Sequence, residues 1–191
     1  MRVLGIDPGS VITGTGIIEI SGSKIYLIEY DTLKMSSKEP MKIRLKKVYD
    51  FCFKKISKFK PDEFAIETAF YGKNIQSTLK LGQVRGAAIV AAMNHEINVS
   101  EYSPREIKKS VTGNGASSKQ QVLSIIKSIL SIKEKPKFFD ASDALSIALC
   151  HYFFLSRNSQ FTGKGFGSAK SKYGWKEFVD LNPEKILQKR N

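Results

Sequence analysis

The sequence predicts an α/β fold, a mixed sheet layered with helices. Two observations predict it. Three strand-like segments come first, at residues 2–6, 15–20 and 25–30. From residue 41 onward, helical spacing alternates with two further short apolar runs. At 191 residues the chain suits one domain with a sizeable core.

The segment 2–6 is apolar enough to be buried, and Ser21-Gly22-Ser23 joins the second and third strands as a short hairpin turn. In residues 41–59, Met41, Leu45, Val48, Cys52, Ile56 and Phe59 recur every three or four positions, with lysines between them, which predicts an amphipathic helix. Pro61 stops it. "FAIE" (64–67) is a short fourth strand, expected to lie parallel to an earlier one after a right-handed crossover. A long helix over about residues 75–94 carries Gly82, Gly86, Ala87, Ala88, Ala91 and Ala92. These small side chains suit either packing on the sheet or a helix–helix dimer seam. Residues 97–102 are the fifth strand candidate. "SPRE" (103–106) supplies a capping Ser, Pro at the first helical position and Glu three residues on. After the loop "TGNGA" (112–116), "SSKQ" starts another helix near Ser118, and the last core helix is expected over about 139–155.

Composition changes beyond Arg157. Residues 157–191 mix Gly, Ser, Lys and isolated aromatics without periodicity, and hold eight basic and three acidic side chains. This predicts a core domain over 1–156 and a basic, flexible arm over 157–191, with a marginal helix near 176–189. Thirty-one Lys and Arg against eighteen Asp and Glu give a net charge of +13. That excess favours a polyanionic partner, nucleic acid first and an acidic membrane surface second. The apolar stretch 86–93 is too short to span a bilayer. The N-terminus enters a strand at once, without a basic-then-apolar leader. Cys52 and Cys150 lie among apolar helical positions without metal-ligand spacing, as reduced core thiols of a cytoplasmic protein do.

Four acids stand apart from the lysine-rich polar faces: Asp7 after "VLGI", Glu67 after "FAI", and Asp140 and Asp143 inside "FFDASDALSIAL". A carboxylate beside a buried run must be paired, capping or bound to a cation. Taken singly, each has an ordinary explanation. Asp7-Pro8-Gly9 can be a turn, Asp140 a helix cap with Asp143 favouring the dipole, and Glu67 a surface acid at a strand end. Taken together, parallel first and fourth strands would place Asp7 and Glu67 about 5 Å apart at their C-terminal ends. Asp140 and Asp143 share one helix face. A helix docked over those strand ends would gather all four. Each close pair would repel by about 4 kcal/mol at an effective dielectric near 20, so such a cluster calls for a cation. An all-oxygen donor set points to Mg²⁺ or Mn²⁺ rather than zinc.

"GIDPGSVITGTGII", "FAIETAFYGKN", "LKLGQVRGAAIVAA" and "DASDALSIALCH" together resemble the successive blocks of the RuvC Holliday-junction resolvase family, in family order over about residues 1–156. The resemblance implies a ribonuclease-H-like fold, a five-stranded mixed sheet flanked by helices, acting as a homodimer. It implies that Asp7, Glu67, Asp140 and Asp143 are catalytic metal ligands for two Mg²⁺ ions per subunit, with Mn²⁺ as a substitute. The activity implied is resolution of four-way DNA junctions by paired symmetric nicks, in recombination and repair, alongside the RuvA and RuvB branch-migration proteins. Lys108 and Lys119 match family lysines that contact the DNA backbone near the scissile phosphate. Phe70 resembles the aromatic that inserts beside bases, where stacking contributes about 1–3 kcal/mol per base; a loop-anchoring core residue is its alternative. Lys73 is a further DNA candidate. Arg85 is either another or a brace for the dimer helix. His95 reads as a helix-end residue, and His151, two helical turns beyond Asp143, as packing or as support for the metal site from that helical face. The arm is where the chain departs from the family pattern.

Two rivals are weaker. "DPGSVITG" also resembles the first phosphate loop of the actin and hexokinase ATPase fold, which needs a second lobe for which this chain has little room. A non-catalytic junction-binding protein would have no need of four clustered acids.

Overall fold

The computed structural model describes residues 1–22, 24–68, 74–132 and 139–162, with the side chains at 139, 140 and 158–162 outside that description. Phe70, Lys73, the side chain of Asp140 and the chain beyond residue 162, including the helix expected near 176–189, lie outside it. The elements run β1 (Arg2–Asp7), β2 (Ile12–Ser21), β3 (Lys24–Lys34), α1 (Met41–Phe59), β4 (Glu63–Glu67), α2 (Ile75–Met93), β5 (Asn98–Tyr102), α3 (Pro104–Thr112), α4 (Lys119–Ile129) and α5 (Phe139–Thr162).

The strands form one mixed sheet in the order β3-β2-β1-β4-β5. β1 pairs antiparallel with β2 and parallel with β4, and β5 is parallel to β4. β2 and β3 are longer than expected because cross-strand pairing from Ile12↔Lys34 to Ser21↔Lys24 carries polar residues that apolar patterning alone does not flag. β3 is an edge strand, and its exposed positions include Lys24, Asp31 and Lys34, charges that deter edge-to-edge association, beside exposed Tyr26 and Ile28. α5 continues to Thr162 rather than stopping near Leu155. No glycine or proline interrupts the chain between those residues, and Gly163 is the first breaker.

Alternation along each strand divides the core between the two faces of the sheet. Leu4, Ile6, Ile17, Phe64 and Ile66 pack against Val48, Cys52 and Ile56 of α1 and Val84, Ala88, Ala91 and Ala92 of α2. On the other face, Val3, Ile18 and Ile20 meet Val111, Val122, Ile126, Leu145, Ala148 and Leu149 of α3, α4 and α5. Ala65 joins Tyr102, Ile107, Ile147 and Cys150 on that second face. Both cysteines are free and buried. Among the described residues no helix is long and apolar enough to cross a membrane.

Two glycines fix how closely α5 lies on the sheet. Gly5 and Gly16 are cross-strand partners in β1 and β2. A Cβ on Gly5 would stand 2.2 Å from the Ala144 carbonyl oxygen and 2.7 Å from the Ala148 nitrogen, and one on Gly16 would stand 2.7 Å from the Leu145 nitrogen. The helix backbone therefore rests on bare strand backbone, a contact no other residue pair would allow.

Candidate active site

The two-residue period of the strands decides where the acids face. With Leu4 and Ile6 on the α1/α2 side, Val3, Gly5 and Asp7 face α5; with Phe64 and Ile66 on that same α1/α2 side, Ala65 and Glu67 also face α5. The parallel register Ile6↔Ile66 sets Asp7 and Glu67 next, at the C-terminal ends of adjoining strands. The turn after Asp7 is fastened from two sides. Thr13 Oγ1 donates to the Gly9 carbonyl at 2.9 Å, and Nη1 of the buried Arg44 on α1 donates to the Ser10 carbonyl at 2.7 Å.

The close contact of α5 with Gly5 brings Asp143, in the residues just before Ala144, to the same end of the sheet. Ser146 Oγ donates to the Asp143 carbonyl at 2.6 Å. A cavity of about 260 Å³ there is lined by Asp7, Glu67 and Asp143 together with Lys108, Lys119 and Ser146. Both lysines are placed by capping boxes. Ser103 and Glu106 start α3, and Ser118 and Gln121 start α4 immediately before Lys119. Lys119 Nζ lies 2.7 Å from Asp143 Oδ2.

Burial pushes the Glu67 carboxyl above its ordinary range, and the negative charge of Asp143 adds to the rise, while Lys119 and Lys108 pull it down. Burial first and the Asp143 charge second therefore disfavour the ionised form of Glu67, and the two side-chain ammonium groups offset part of that. Among the described residues no three His, Cys, Asp or Glu side chains converge closely enough to hold a metal ion; Asp140, expected as the fourth donor, has its side chain outside them. In chemistry the donors fit a hard divalent cation, being carboxylate oxygens on three separate elements facing one cavity.

Residues 3–151 match the family model "Crossover junction endodeoxyribonuclease RuvC". The chain belongs to the RuvC family. It is 44% identical over 188 residues to the crossover junction endodeoxyribonuclease RuvC of Salinibacter ruber, covering 98% of this chain and 100% of that relative. It is 42% identical over 184 residues to the RuvC of Cytophaga hutchinsonii, covering 96% and 87%. The structure of Thermus thermophilus RuvC in complex with a Holliday junction substrate superposes with a TM-score of 0.79 at 32% identity, over 83% of this chain and 97% of that one. The sheet and its helices are thus the ribonuclease-H-like fold of RuvC. The Salinibacter match, at 98% of the chain, takes in most of residues 157–191, whereas the family model ends at residue 151.

Four residues that shape this RuvC site escaped the sequence reading. Gly5 and Gly16 interrupt apolar strands, and a glycine inside a strand signals close backbone approach. Arg44 is a polar residue on the buried stripe with Val48, Cys52 and Ile56, and that misplacement was its signal. Ser146 had none. Of the remaining candidates, Arg85 is paired with Glu101 on β5. His95 follows α2 and sits on the Phe53 ring at 4.5 Å. His151 is buried on α5.

Proposed function

We propose that this RuvC-family chain resolves four-way DNA junctions by hydrolysing one phosphodiester in each of two strands of like polarity. Asp7, Glu67, Asp140 and Asp143 would hold the divalent ions. The observation that carries the reading is the single cavity into which β1, β4 and α5 turn Asp7, Glu67 and Asp143, with Lys108 and Lys119 at its wall. Bound there, two Mg²⁺ ions, or Mn²⁺ in their place, supply an activated water and neutralise charge at the leaving 3′ oxygen. The chain's own groups do the rest. Glu67 and Asp7 would present their carboxylates to the ions from rigid strand ends. Lys119, paired with Asp143 in this structure, and Lys108 at the same cavity would contact the DNA backbone beside the scissile phosphate. Phe70 stacks beside bases at the junction and Lys73 adds backbone contact.

A homodimer gives paired nicks their symmetry. It is supported by a stripe on α2 in which Ile75, Leu79, Val90 and Met93 are exposed and Gly82 and Gly86 have open space beside them. The RuvA and RuvB branch-migration proteins are the partners that family membership suggests. The buried free thiols suit a reducing cytoplasm, and the basic residues of 157–191 suit a DNA-contacting arm beside the nuclease domain.

The test is cleavage of a synthetic mobile four-way junction with and without Mg²⁺, beside linear duplex and single strand. Symmetric paired nicks confined to the junction and requiring Mg²⁺ are expected. Asp7→Asn is expected to bind the junction near wild-type affinity and not cut it; robust cleavage by that variant would sink the metal-site reading.

A further inference from the structure

We propose that a second cavity, on the neighbouring face of α3, holds a phosphate of the DNA strand flanking the cleaved bond, with Arg105 and Lys109 as its contacts. The inference rests on the junction-nuclease reading above and extends it to residues outside the acid cavity.

The cavity measures about 590 Å³ and is lined by Arg105, Glu106, Lys109, Asn114 and Gly115, with Ser103 and Gly113 at its margins. Arg105 and Lys109 are four apart and therefore stacked on one face of α3. Both are exposed, and among the described residues neither has an ion-pair partner. One acid, Glu106, lines the same cavity and is held at the helix start, which leaves two cations there against one carboxylate. The Glu106 carboxylate accepts from the Ser103 backbone N–H at 2.8 Å and from Ser103 Oγ at 2.7 Å. Those bonds hold its carboxyl below the usual range. Glu106 thus stays at the helix start, and the two cations a turn apart remain available to an anion.

Gly115 explains how Arg105 is presented. A Cβ there would stand 2.7 Å from Arg105 Cγ and 3.2 Å from the Arg105 carbonyl oxygen. The stem of Arg105, one of the residues lining the cavity, lies along bare glycine backbone, which restricts the side chain before any ligand binds. Asn114 fastens the loop that carries Gly115, with Oδ1 accepting from the Ala116 N–H at 2.9 Å.

Position links the two cavities. Lys108, between Arg105 and Lys109 in sequence, lines the acid cavity instead. A strand with its scissile phosphate at the acids and a neighbouring phosphate on Lys108 would cross α3. A helix with its side chains is about 10 Å across, the length of about three nucleotides at about 3.4 Å each. The phosphates on the far side of the crossing then fall to Arg105 and Lys109. These are positioning contacts that read no bases.

The experiment titrates a labelled four-way junction with the full chain in a chelator, so that binding is read without cleavage, over a range of salt. It compares wild type with Arg105→Ala, Lys109→Ala, the double variant, Arg105→Lys and Gly115→Ala. Loss of two phosphate contacts lowers the salt slope by about 1.8, so the gap in Kd between double variant and wild type should narrow about twelvefold from about 50 to about 200 mM salt. Arg105→Lys should restore most of the slope. Gly115→Ala should weaken binding as Arg105→Ala does, because its methyl evicts the same side chain. A double variant with wild-type affinity and slope overturns the proposal, as does a Gly115→Ala protein that binds like wild type. Failure of the underlying reading looks different: wild type would then bind the junction no better than linear duplex, or Asp7→Asn would cut it.

Discussion

His151 lies on α5, 1% exposed, with Nδ1 2.7 Å from the Tyr102 hydroxyl and Nε2 3.4 Å from Glu63 Oε2. Burial holds its pKa down at about 4, against 6.5 for a free imidazole, and burial followed by the charge of Asp62 raises Glu63. The imidazole is therefore neutral in the folded protein at neutral pH, and the unfolded chain binds the proton more readily. The stability that this neutral, hydrogen-bonded histidine contributes is fully present above about pH 6.5 and is lost as pH falls towards 4, by about 3 kcal/mol in all. Urea denaturation at stepped pH should show wild type losing more stability over that window than His151→Gln, which keeps a polar partner for Tyr102 and has nothing to titrate. Parallel pH profiles for the two proteins would remove His151 as the cause. The sequence placed His151 two helical turns beyond Asp143 and read it as packing, on a face that could support the metal site. Its partners were not legible, since Glu63 starts β4 and Tyr102 ends β5, and no local signal in the sequence brings either to α5.

Among elements, the seating of α5 on β1 and β2 governs the site more than any single acid does. Gly5→Ala would drive a methyl into the Ala144 carbonyl at 2.2 Å, an atom of helix backbone that cannot rotate away. The helix must lift, at a cost of about 1–3 kcal/mol, and Asp143 lifts with it. Denaturant unfolding should show that loss, and junction cleavage should fall by well over the change in stability, because the carboxylate leaves the cavity shared with Asp7 and Glu67. A Gly5→Ala protein that cuts at the wild-type rate would show that the contact does not set the site. This contact also marks the boundary of what periodicity can reveal. The repeats of Leu45, Val48, Cys52 and Ile56, the "SPRE" and "SSKQ" starts and the apolar "FAIE" all name elements, since each signal is local. The sequence placed Asp7 and Glu67 together only on condition that the first and fourth strands are parallel neighbours, and the Ile6↔Ile66 register meets that condition. Which helix then lies over those ends depends on two glycines eleven residues apart that act by lacking side chains, and a pattern of apolar residues does not record an absence.

For the whole molecule, the exposed stripe on α2 is where symmetry would enter. Leu79 is 63% exposed and Val90 51%, while the opposite side of the same helix buries Val84, Ala88, Ala91 and Ala92 against the sheet. Apolar side chains on both sides of one helix, with Gly82 and Gly86 between the outer ones, fit a seam against a second copy. An isologous pair would set two acid cavities in fixed relation, so that the two nicks on a junction occur in one bound lifetime. Leu79→Arg with Val90→Arg removes no core contact and places like charges across the seam. The expected outcome is a halved mass in sedimentation, an unchanged helical signal, and junction cleavage that releases single-nicked product instead of two symmetric duplexes. If the charged variant still sediments as a dimer, α2 is not the seam. If it is monomeric yet still makes coupled nicks, the symmetry of cleavage comes from the junction and not from the protein.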